Sequence, residues 1–146
     1  MLVEVGSGRS ARCCEYGGAA LEFAFVSIPF VLILFGSAEL AQSLWNRNAL
    51  QQIAAQAARC AALSYGPCAS NGSYSEGATR AFVQNLGATW GLPISPDNVS
   101  VNGAGECGGL PGFSVVSLRY SDATVMPVVA VLANQTLTAA ACFKNP

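Results

Sequence analysis

From Phe23 to Ala38 the chain carries no charged residue, and the apolar run around it begins at Gly18. As a helix, Gly18 to Ala38 measures about 31 Å at 1.5 Å per residue. That length matches a bilayer hydrocarbon core of roughly 30 Å, so the run reads as a transmembrane helix over 18–38. Pro29 lies in the middle of it. A proline breaks a soluble helix but is tolerated in a membrane helix as a kink.

Composition agrees with a membrane segment joined to a charge-poor exported domain. The chain is 52% hydrophobic and 10% charged, against about 25% charged residues in an ordinary soluble domain. Mean hydropathy is +0.42. With 146 residues, one domain fits beside the span. The net charge of -1 gives no electrostatic footprint for nucleic acid. There is no histidine, which removes the commonest general base and the commonest metal ligand.

Residues 1–17 read as a short polar leader, with Arg9 and Arg12 and no folding pattern. Beyond the span, residues 39–65 continue without Gly or Pro and are rich in Ala, Leu and Gln, all good helix formers. Leu50, Ile53, Ala54, Ala57 and Ala61 form one apolar stripe at helical spacing, while Arg47, Gln51, Gln52 and Arg59 avoid it. Trp45 falls just past the span, where an interfacial aromatic is expected. One long helix is therefore expected, its first half in lipid and its second half amphipathic.

Residues 66–146 read as a small exported α+β domain. Tyr65–Gly77 is a loop by its Gly, Pro, Asn and Ser content. Ala78–Trp90 predicts a helix with Ala78, Phe82 and Leu86 on one face, ended by Gly91 and Pro93. Asn98–Gly103 predicts a short strand, and AGECGGLPG after it a flexible loop. Phe113–Val125 is the strongest strand, stopped by Pro127. Val128–Ala133 is ambiguous between strand and helix, and Gln135–Phe143 reads as a last strand. The fold class expected is α+β: a long N-terminal transmembrane helix continuing into an amphipathic helix packed on a small antiparallel sheet.

Cys60, Cys68, Cys107 and Cys142 all follow the span. Four cysteines downstream of an export signal read as two disulfides. The sequence allows three pairings; the preferred one is Cys60 with Cys68, closing the loop after the long helix, and Cys107 with Cys142. A zinc site uses closer pairs than these. Cys13 and Cys14 lie in the leader and are expected to be lost with it.

The most informative stretch is Glu15-Tyr16-Gly17-Gly18-Ala19-Ala20-Leu21-Glu22-Phe23. It sets a carboxylate inside the start of the span. An acidic group near a membrane helix centre costs about 2.5–3.5 kcal/mol on insertion scales, so Glu22 is a functional candidate. The plainer reading is a carboxylate that marks a helix N-terminus. This pattern resembles the type IV prepilin family, in which prepilin peptidase cuts after a Gly and the fifth mature residue is Glu. A cut between Gly17 and Gly18 makes Glu22 that fifth residue. Phe23 gives the Glu-Phe pair of the tight-adherence (Flp) branch. The string GGAALEFAFVSIPFVLILFGSAEL resembles the TadE-like pseudopilins, with TadF the next nearest.

The resemblance implies a minor pseudopilin without enzymatic activity or cofactor. It implies the membrane, prepilin peptidase, other pseudopilins, the major Flp pilin and an inner-membrane assembly platform as partners. It also implies an N-terminus in the cytoplasm, with Glu22 pairing with the Gly18 amine of a neighbouring subunit.

A rival reading is an ordinary secretory signal, with Gly36-Ser37-Ala38 as a small-x-small cleavage site and Glu39 as the mature start. The product would be an exported binding domain. Its core is longer than the usual 7 to 15 residues or so. An enzyme is a weaker rival: no nucleophile elbow, phosphate loop or metal cluster is present, and Glu76, Asp97, Glu106 and Asp122 are spaced as solvated surface groups. Asn71, Asn98 and Asn134 open chance glycosylation sequons.

Overall fold

The computed structural model describes residues 12–64, 66–121 and 136–146, with side chains from Gly18 onward. Several expectations lie outside these residues: Arg9 in the leader, the strand beyond Ser121 with Asp122, Pro127 with the Val128–Ala133 segment, the Asn134 sequon and the strand start at Gln135. The chain divides into two compact units, Met1–Leu40 and Ala41–Pro146.

Helix α1 spans Arg12–Leu63, 52 residues with Pro29 inside. It begins before the apolar span, so the end of the leader is helical where no pattern was expected. Extending an existing helix needs no new nucleus, so each residue adds a bond at little cost. In the first unit nearly every apolar side chain from Leu21 to Phe35 faces outward on all sides of the helix. A helix apolar all round belongs in lipid or inside other protein. This is the one described helix long and apolar enough to cross a membrane.

In the second unit α1 supplies one wall of the core. Ala49, Leu50, Ile53, Ala54, Ala57, Ala58, Ala61 and Ala62 are buried, the stripe legible in the sequence and its neighbours. Arg47, Gln51, Gln52 and Arg59 are exposed. The helix stops where Ser64 and Gly66 take positive φ of 47° and 64°, followed by Pro67, which cannot continue it.

The segment expected to be loop contains a small hairpin. Strands β1 (Ala69–Ser70) and β2 (Ser73–Tyr74) pair antiparallel around Asn71-Gly72, at φ 54° and 76°. Asn-Gly suits a two-residue turn that needs φ > 0 twice. Helix α2 spans Glu76–Thr89 and is capped by Ser75, whose side chain accepts from the Ala78 N–H. Its deepest face is Thr79, Val83 and Gly87, with Phe82 and Leu86 half-buried beside it. The periodicity reading missed this centre because Thr and Gly do not count as apolar. Trp90 closes the helix, and Gly91 at φ 73° lets the Leu92 N–H return to the Gly87 carbonyl at 2.8 Å.

Strands β3 (Val99–Cys107), β4 (Leu110–Ser121) and β5 (Thr136–Lys144) form one antiparallel sheet in the order β3-β4-β5. The expected flexible loop AGECGGLPG is instead strand and hairpin. Gly108-Gly109, at φ 61° and 82°, makes the two-residue turn, and Cys107 pairs with Leu110. Register slips between Asn102 and Gly105 absorb the excess residues as a bulge.

Val99, Val101, Val116, Leu118 and Ala139 point from the sheet into the core, against α1 and Val83 of α2. The fold class is α+β. Two disulfides complete the unit. Cys60–Cys68 has Cα atoms 5.8 Å apart and closes the turn after α1. Cys107–Cys142 spans 6.3 Å between Cα atoms and joins β3 to β5 across the central strand.

Candidate processing and anchor segment

The candidate residues of the N-terminal segment all lie on α1. Gly17 and Gly18 are consecutive within it. A methyl group added at Gly18 would meet no atom within 4 Å, so intramolecular packing does not explain a glycine there. Glu22 follows Gly18 by four residues, which puts both on one helix face a turn apart, about 6 Å along the axis. Glu22 is exposed, and Phe23 beside it is 75% exposed. No described protein group shields this carboxylate or the apolar surface that follows.

The span handles its polar atoms as a lipid environment demands. The Ser27 hydroxyl donates to the Ala24 carbonyl at 3.0 Å, and the Ser37 hydroxyl to the Leu34 carbonyl at 2.9 Å. Both side chains are satisfied by their own helix. Pro29 has no N–H, so the Phe25 carbonyl four residues earlier loses its helical donor. The sequence reading used Ser37 only in a candidate cleavage site and Ser27 not at all, although their place in an uncharged span was the signal.

Elsewhere in the described residues an open cleft of about 590 Å³ lies in the second unit, lined in part by Tyr74, Glu76, Asn102, Ser114 and Asn145. The Asn145 amide donates to the Gly103 carbonyl at 2.8 Å, and the Ser114 hydroxyl donates to the Asn145 Oδ1 at 2.8 Å. The Glu76 carboxylate is paired with Arg80 at 2.6 Å. Burial raises the Tyr74 phenol above its ordinary pKa; the Glu76 charge adds to this and Arg80 opposes it. Ser114, Asn145 and the Gly103 carbonyl are thus bonded to one another, and Asn102 accepts from the Ala104 N–H at 3.0 Å. No cluster of three or more metal-ligating side chains occurs among the described residues.

Comparison with known families bears on the N-terminal segment. Residues 17–59 match the family model described as TadE-like protein. The chain carries a TadE-like segment. The match begins at Gly17 and ends at Arg59, so it takes in the span and most of the core-forming face of α1. It stops short of the first disulfide and of the sheet. The TadE-like region is under a third of the chain. No curated protein and no solved structure matches the chain.

Proposed function

We propose that the chain is a minor pseudopilin of a tight-adherence pilus or a related secretion apparatus. It inserts with its N-terminus in the cytoplasm and its head in the periplasm or outside the cell. Prepilin peptidase removes 1–17, and the mature protein acts in assembly through its apolar helix. The observation that carries the reading is the coincidence of three features at one place. The TadE-like match starts at Gly17, a carboxylate stands at the fifth position after it, and an exposed apolar span opens immediately beyond.

Cleavage leaves a free amine on Gly18, one turn from Glu22. Two opposite charges at the edge of a hydrocarbon layer each need a partner. Side-by-side packing lets the amine of one subunit meet the carboxylate of the next. Glu22 is then an assembly latch, and the partners are other pseudopilins, the major pilin and the inner-membrane platform. Arg9 and Arg12 favour a cytoplasmic leader.

The test is the mature N-terminus, read by mass spectrometry of protein purified from its own membranes. A start at Gly18 supports the reading, and Gly17→Leu should leave the leader in place. A start at Glu39 would mean a secreted domain released by signal peptidase. An intact Met1 would leave a plain membrane anchor.

A further inference from the structure

The chain has two tryptophans, and the structure brings them together. Trp45 comes from α1 and Trp90 from the end of α2; their ring centroids are 6.1 Å apart with planes tilted by 48°. Trp45 is 57% exposed and Leu44 beside it 52%. Trp90 is half-buried, its inner side packed on the core. An aromatic pair formed to fill the core would lie within it; this one stands at its margin.

Its position along the chain is informative. Trp45 is seven residues past Ala38, about 10 Å along a helix. The headgroup layer adds roughly 5–8 Å to each side of the hydrocarbon. Long side chains on a helix lean toward its N-terminus, which carries the Trp45 ring back over the preceding turn and into that layer. Tryptophan favours this zone because its body is apolar and its N–H is polar. Helix α2 returns alongside α1 after the Cys60–Cys68 turn, and its last turn delivers Trp90 to the same level. The Gly91 turn and the Leu92 N–H bond to Gly87 fix the chain there.

We propose that Trp45 and Trp90 together seat the exported head on the lipid–water interface of the membrane its own helix crosses. The head is then held at two elements and not by α1 alone. This rests on the reading of 18–38 as a membrane anchor. The occupant is the phospholipid headgroup layer, since it is what surrounds α1 where the apolar run ends.

The full chain in phosphatidylcholine–phosphatidylglycerol vesicles tests this through its own fluorescence. Trp45→Phe leaves Trp90 as the sole emitter, and Trp90→Phe leaves Trp45. With lipid spin-labelled on the headgroup, the loss of Trp90 emission should match that of Trp45, and both should resist aqueous iodide. If Trp45 is quenched by the labelled lipid while Trp90 responds to iodide alone, the head stands clear of the surface. The proposal then falls and the anchor survives. If the chain does not float with the vesicles, both fall. Should a variant not fold, the unmutated chain labelled with fluorotryptophan gives the same readout. Broadening of both fluorine lines by the spin label supports the proposal, and broadening of one overturns it.

Discussion

Gly87→Ala should weaken the head, against the ordinary rule for a glycine inside a helix. An alanine in place of a helical glycine normally gains up to about 1 kcal/mol. At position 87 the new methyl would sit 2.6 Å from the Leu92 carbonyl oxygen and 3.1 Å from the Ile94 Cδ1. The first of these is backbone and cannot swing away. Relief requires moving the turn that carries the Leu92 N–H to Gly87 bond. Overpacking of this kind costs about 1–3 kcal/mol, and a weakened hydrogen bond adds roughly 1. The helical gain offsets part, leaving a net loss of about 2 kcal/mol. Gly77 is the control: it lies in the same helix, and an added methyl meets nothing within 4 Å. Gly77→Ala should therefore be neutral or stabilising by up to about 1 kcal/mol. Urea titration of the full chain in mild detergent, followed by tryptophan emission, reads both. With a slope near 1.5 kcal/mol/M, the Gly87→Ala midpoint should fall by roughly 1.3 M. A Gly87→Ala midpoint at or above that of the unmutated chain would falsify the packing argument.

Glu22→Ala should leave leader removal intact and abolish or sharply reduce pilus assembly; wild-type piliation in that strain would remove the latch role. The two disulfides should differ in worth. Loop closure over separations of 8 and 35 residues predicts about 2.5 and 3.8 kcal/mol, so the paired serine variants at Cys107 and Cys142 should be the less stable, and the reverse order in urea would refute the entropic account. Tyr74 should ionise above its ordinary pKa of 10.0, so the folded state binds its proton more tightly than the unfolded chain. That contribution is whole below about pH 10 and is lost as pH rises through the folded value. Absorbance titration should show a late-ionising tyrosine that vanishes in Tyr74→Phe; its persistence there would assign it elsewhere.

Much of this architecture was legible because its signals are periodic or compositional. The uncharged span, the stripe from Leu50 to Ala61 and the strand around Val116 each repeat one physical preference over many residues. What escaped notice depends on partners distant in sequence or on single residues. Thr79 and Gly87 flank Val83 on the inner face of α2, although neither counts as apolar. The Gly108-Gly109 pair looked like slack chain, yet two adjacent positive-φ residues make a tight hairpin once strands flank them. Trp90 closes a helix in the sequence; only the fold shows that it faces Trp45. Of the candidate segment, the positions of Gly17, Gly18, Glu22 and Phe23 could all be read directly, since they are local to about two turns of helix.

The Cys107–Cys142 bridge has a mechanical consequence. Strand β5 lies at an edge of the sheet and ends at Lys144, two residues beyond Cys142. A force applied at Pro146 can peel only those residues before it meets a covalent bond. From there the load bypasses β5's hydrogen bonds and passes into β3, on the far side of the sheet. A tag, a fusion or a natural tether at this end therefore pulls on a clasped sheet and not on a free strand.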